Sequence, residues 1–182
     1  VSLSYRLLRY INSPGFGLGV KVESIRRAVA MMGSRALRRW LRVTIMSDLD
    51  QSGRGYALVS LSAQRAMYLQ ALGRCATTEC RDDPDGLFLL GFFSLLGALL
   101  DQSMEELIDH LPLDSWLKTA LIDPSAPEAA WLRLVEAQER GDWERVAEYL
   151  DRLGLDPVHS AEQYYQARIW ADSVLGSSRG SI

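Results

Sequence analysis

The stretch LFLLGFFSLLGALL, Leu87 to Leu100, decides the reading of this chain. It carries no charged side chain and is closed by Asp101. Its composition reads as helix, and a helix that is apolar on every side forms the spine of a helical core. Spanning a bilayer takes roughly 20 such residues, so the run is too short for that. Gly91, Ser94 and Ala98 stand at i, i+3 and i+7, a line of small side chains along which another helix can approach closely.

Upstream, Leu3 to Ile11 reads as a helix with Leu3, Leu7, Leu8 and Ile11 on one face. Asn12-Ser13-Pro14-Gly15 stops it, because Pro and Gly punctuate and the residue before Pro avoids the helical region. Val22 to Met32 is a second helix, with Gly33 beyond its end. Ser34 can cap a third through Leu49, whose apolar stripe is Leu37, Trp40, Leu41 and Ile45. The turn cluster at 50–55 leads into a helix from Tyr56 to Ala76, and Asp85 is the expected N-cap of the apolar helix. Downstream, Ser103-Met104-Glu105-Glu106 fits a capping box, and Asp114 can cap the helix that follows Leu111-Pro112. A proline-containing hinge at 123–127 precedes helices over 128–140, 142–153 and 161–175. No alternating strand pattern competes with these helices, and no repeat of fixed period occurs.

With 182 residues the chain can bury one sizeable core, or a main domain with a helical appendage. It lacks a signal-peptide pattern and opens at Val1 directly in helical sequence, which reads as a piece of something longer. The cysteines of CATTEC, Cys75 and Cys80, are too far apart for the usual CxxC metal or redox spacing and read as free thiols in a reducing cytoplasm. The net charge of -3 hides a split. Residues 1–42 hold Arg6, Arg9, Lys21, Arg26, Arg27, Arg35, Arg38, Arg39 and Arg42 against Glu23 alone, about +8, and the rest of the chain is about -11. Such asymmetry points to an anionic partner, to a nucleic acid or to a self-complementary interface.

The apolar run resembles a known family. In metal-dependent phosphohydrolases of the HD superfamily the core segment reads apolar, Gly, two apolar residues, His-Asp, apolar, Gly, Lys. Here Gly91, Phe92 and Phe93 are followed by Ser94-Leu95 in place of His-Asp, then by Leu96, Gly97 and Ala98. The pattern is similar to that of the HDOD domain, the HD-related output domain of bacterial signalling proteins. Asn12-Ser13, Phe16-Gly17, Ser24-Ile25 with Ala28, and Gly33 resemble the opening of that domain in the same order. FLLGFFSLLGALLDQSMEELIDHLPL and LVEAQERGDWERVAEYLDRLGL resemble the subfamily in which the module follows an EAL domain, the type that binds or hydrolyses cyclic di-GMP. Gly97 departs from that subfamily, where an acidic residue is expected, and no EAL signature occurs in this chain.

Metal-dependent hydrolysis needs several His and Asp ligands converging on one or two ions. This chain has only His110 and His159, neither followed by Asp, and both read as structural or surface residues. Asp82, Asp83 and Asp85 lack the closing Glu of a calcium loop and read as capping residues. Gly15 to Gly19 lacks the strand and the spacing of a phosphate loop. Ser94 has no neighbouring base and reads as packing. Arg35, Arg38, Arg39 and Arg42 share one helix face, read as a solvated face or a dock for an acidic surface. The acidic overall charge, and the lack of an aromatic stacking platform beside the arginines, argue against nucleic acid.

The expected fold is therefore all-α: an HD-domain-like helical bundle over residues 1–122, a helical extension over 123–176 packed on it, and a disordered tail over 177–182. The resemblance implies a non-catalytic, cytoplasmic signal-transduction module without metal or cofactor. Its partners would be an upstream EAL-like domain, another protein or a second copy, and not a membrane. The alternatives are a divergent HD-type phosphohydrolase and a helical scaffold.

Overall fold

The computed structural model describes residues 3–13, 21–74, 83–111 and 113–179. These residues are all-α, without a β-strand among them. In chain order they form α1 (Leu3–Ile11), α2 (Ile25–Met46), α3 (Gly53–Gly73), α4 (Pro84–Phe93), α5 (Leu96–Leu100), α6 (Met104–Ile108) and α7 (Ser115–Ile122). A 3₁₀ turn (Pro127–Ala129) then precedes α8 (Ala130–Arg140), α9 (Trp143–Arg152) and α10 (Pro157–Arg179). None of these helices is long and apolar enough to cross a membrane. The chain divides into two compact units, residues 1–60 with 169–182, and residues 61–168.

The first unit is built on α1 and α2. Ser24 caps α2 by accepting a hydrogen bond from the Arg27 amide, and Gly33 interrupts the helix at φ +76°, where a residue with a Cβ is strained. The expected break at Gly33 is thus present, as a kink inside α2. The buried faces differ from the expected stripes. On α1 they are Arg6, Leu7, Tyr10 and Ile11, while Leu3 is exposed. On α2 Trp40, Val43, Thr44 and Met46 are buried and Ile45 points outward. Arg6 goes inside because Asp48 accepts two hydrogen bonds from it at 3.0 Å, with Ser47 taking a third, so its charge is satisfied. Tyr10 stacks on Trp40 at 6.3 Å, and its hydroxyl hydrogen-bonds with Trp170 and Ser173 of α10. Burial pushes that phenol above its ordinary pKa.

The core of the second unit gathers Tyr68, Leu69 and Leu72 of α3, Leu87 and Leu90 of α4, Leu117 of α7, Trp131, Leu134 and Val135 of α8, and Val146 and Leu150 of α9. The apolar run is not one helix. It breaks at Ser94-Leu95 into α4 and the short α5, whose Ala98 and Leu100 are exposed. The Ser94 hydroxyl donates to the Gly91 carbonyl at 2.7 Å, a side-chain bond that competes with continuation of the helix. Asp101, left-handed at φ +52°, ends α5 with the Gln102 amide on the Gly97 carbonyl. Asp83, not Asp85, caps α4, with Pro84 at its first position. The α10 helix runs to Arg179, into the segment read as a tail, and 180–182 lie outside the described residues.

Candidate functional site

The degenerate motif lies where α4 crosses α3. A Cβ built on Gly91 would stand 2.6 Å from the Ala66 backbone nitrogen and 2.7 Å from the Arg65 carbonyl oxygen. Only glycine lets the two backbones approach this closely. One turn later Ser94 meets the Arg65 side chain, whose Nη1 donates to its Oγ at 3.0 Å. The same guanidinium donates twice to Glu139 of α8, through Nε at 2.8 Å and Nη2 at 2.6 Å. The Arg65 side chain is 7% exposed and that of Glu139 16%. A paired fork of this kind is the strong form of an ion pair, and its burial makes either partner costly to remove.

Ser94 is therefore not simple packing. Its hydroxyl accepts from a cation and donates to a carbonyl, and its half-buried position suits both. The donor set does not fit a divalent ion. Among the described residues the charged group bonded to Ser94 is itself a cation, and the Glu139 carboxylate is occupied by it. The motif position thus holds a fixed positive group from the chain's own α3. Gly97 has a packing reason too, since a Cβ there would stand 2.8 Å from the Gln102 carbonyl oxygen.

The other sequence candidates scatter. His110 is exposed at the end of α6, and His159 sits in the first turn of α10 with its amide donating to Asp156 at 2.6 Å. Among the described residues no His, Cys, Asp and Glu side chains gather as they would around a metal ion. Asp85 accepts a hydrogen bond from Gln70 at 2.7 Å, which ties α4 to α3. Asp82, Cys75, Cys80 and the loop from Pro14 to Val20 lie outside the described residues. Of the α2 arginines, Arg35 and Arg38 are exposed, whereas Arg39 and Arg42 are half-buried. Arg39 lies close enough to Tyr10 to act on its hydroxyl electrostatically.

Sequence reading missed the polar pairs inside each unit. Besides Arg65–Glu139 and Arg6–Asp48, the Tyr68 hydroxyl is hydrogen-bonded to Ser160 at 2.6 Å, with the Tyr164 ring edge-on at 5.2 Å. Burial pushes the Tyr68 phenol up to about 12, so it is a neutral structural group. The sequence signal for Arg65 was a charge set among the mostly apolar residues of α3, which also buries Ser62 and Gln70.

A family model described as the HDOD domain matches residues 1–110. The chain is 32% identical over 174 residues to the cyclic di-GMP phosphodiesterase CdgJ of Vibrio cholerae, an alignment that covers 96% of this chain and 40% of CdgJ. It is 29% identical over 177 residues to the Bacillus subtilis protein YuxH, covering 96% of this chain and 42% of YuxH. The chain therefore spans about two fifths of the length of these relatives. No solved structure matches it. Arg65, Gly91 and Ser94 lie within the matched segment, and Glu139 lies beyond it.

Proposed function

This chain belongs to the HDOD domain family, and from that membership we propose that it is a non-catalytic output module of a signalling protein. It relays the state of an attached regulatory domain to another protein through helical surfaces, by a change of packing or of dimerisation. The observation that carries this reading is the Arg65 guanidinium, held by Glu139 and Ser94 at the motif where a catalytic HD site keeps its His-Asp pair. The guanidinium at that position takes up Glu139 and offers a divalent ion no ligand to bind it or its water. CdgJ is named as a cyclic di-GMP phosphodiesterase, and we assign that activity to the part of it that this chain does not cover. An EAL-type domain there accords with the resemblance, as does a cytoplasmic setting.

The docking surface in this reading is α2. It carries Arg26, Arg27, Arg35, Arg38, Arg39 and Arg42 and no acidic residue, and Arg35 and Arg38 are exposed. An acidic face of the attached domain or of a partner protein complements it, and a second copy of the chain is the alternative occupant. We propose that the segment 123–176 extends the segment 1–122, with Glu139 held by Arg65 as one fastening.

The test is elemental analysis of the purified chain, with assays on cyclic di-GMP in the presence of manganese or iron. No turnover and no stoichiometric metal are expected. Turnover that rises with bound metal would restore the reading as a divergent HD-type phosphohydrolase. In the full-length protein, the double substitution Arg35→Glu/Arg38→Glu is expected to uncouple the module from its partner while the helical circular dichroism stays unchanged. Coupling that survives it would reject α2 as the surface.

A further inference from the structure

The hairpin of α8 and α9 carries a cleft that the reading above does not use. It is lined by Arg133, Glu136, Arg140, Asp142, Arg145 and Tyr149. The hairpin turns at Gly141, left-handed at φ +70°, and the Asp142 amide bonds back to the Ala137 carbonyl at 3.0 Å. That turn sets the last turn of α8 against the first turn of α9, so side chains distant along the helices face one space.

The charges around this space do not cancel. Arg133 donates to Glu136 at 2.6 Å, and Arg145 stands 3.4 Å from Asp142. Arg140 is exposed and makes no ion pair among the described residues. The Nε of Arg133 is buried without a hydrogen-bond partner. Three guanidiniums thus face two carboxylates, which leaves one positive charge and an unused donor. The cleft has a volume of about 30 Å³. The cleft is small and open on one side, so a short charged group such as a carboxylate can enter it. A phosphate monoester would bring nearly two negative charges to a site with one to offset.

Trp143 stands between two of the lining residues in the first turn of α9, and it is 65% exposed. The fold leaves the indole uncovered beside the polar Asp142 and Glu144. Exposed tryptophan beside arginine is the composition of an interaction hot spot. We propose that the α8–α9 cleft and Trp143 together form a docking surface for an acidic segment of a partner protein. A Glu or Asp side chain enters the cleft toward Arg133, Arg140 and Arg145, and an adjacent apolar residue covers the indole. This surface uses other helices than the α2 arginines and stands or falls independently of them.

The experiment is fluorescence-anisotropy titration of the chain with a labelled peptide of about eight residues alternating glutamate and leucine. The wild type is expected to bind it. Trp143→Ala is expected to weaken binding at least about tenfold, the effect of one hot-spot side chain. Arg140→Glu is expected to abolish it, and Arg168→Glu, an exposed arginine of α10, to leave it unchanged. Both altered side chains in the hairpin are exposed, and circular dichroism checks that the helices persist. Affinity unaffected by Arg140→Glu and Trp143→Ala overturns the proposal. So does binding that inorganic phosphate displaces fully while Trp143→Ala leaves it intact, since that is an anion site without a docking surface.

Discussion

Arginine serves two opposite purposes in the two units. On α2 of the first unit, Arg35 and Arg38 stand in solvent on a helix without a single acid. On α3 of the second unit, Arg65 lies almost wholly buried with a carboxylate on two of its nitrogens and a hydroxyl on the third. Exposed guanidiniums keep their hydration, contribute little to stability and remain available to a partner. A buried one has lost its water and depends on each of its partners. The contrast teaches that charge alone assigns no role to an arginine in this fold, because desolvation does.

The sharpest way to break the contrast is Glu139→Ala. It leaves a buried cation unpaired, and a loss of about 3–5 kcal/mol in chemical denaturation is expected. Arg65→Met combined with Glu139→Leu is expected to recover most of that loss, because the desolvated charges go together. A loss below about 1 kcal/mol for Glu139→Ala would move the pair into the class of the α2 arginines.

Next in size is Gly91→Ala, which sets a methyl 2.6 Å from the α3 backbone beside Arg65. Overpacking of this kind costs about 1–3 kcal/mol, read as a lower melting temperature. The same substitution at Gly53, where a Cβ meets nothing within 4 Å, is the control.

A third prediction uses pH within the second unit. Tyr68 keeps its proton up to about 12 in the fold, against an ordinary value of 10.0 in the unfolded chain. The folded state thus binds more protons between those values, and stability falls as pH rises from about 10 to 12. Ultraviolet titration of the phenols is expected to show late-titrating tyrosines, Tyr68 with Tyr10 and Tyr164, and Tyr68→Phe to remove one of them. A Tyr68 that titrates with the exposed phenols would mean that this core is open to water.

The smallest expected effect on stability is that of Arg35→Glu/Arg38→Glu. Both side chains are exposed, so the change stays within about 0.5 kcal/mol while binding is lost. A large destabilisation would show that the α2 arginines hold the fold as Arg65 does.

Much of this was legible in the chain itself. The all-α class, the helix cap at Ser103 and the break at Gly33 follow from signals that act within one turn. The family was legible because its motifs arrive in order along the chain. The buried stripes of α1 and α2 were less so. Periodicity counts apolar residues, and Arg6 takes a core position that only its bonds to Asp48 and Ser47, more than 40 residues away, make tolerable.

Local sequence determined the helical class, the cap at Ser103 and the bend at Gly33, because capping and left-handed glycine need only neighbouring residues. What fills the degenerate motif was decided by tertiary structure. Arg65 and Glu139 are 74 positions apart, and only the crossing of α3 with α4, made possible by Gly91, brings the guanidinium onto Ser94. An ion pair between distant residues leaves no periodic trace, since its energy depends on burial and on a distance that the packed chain alone defines.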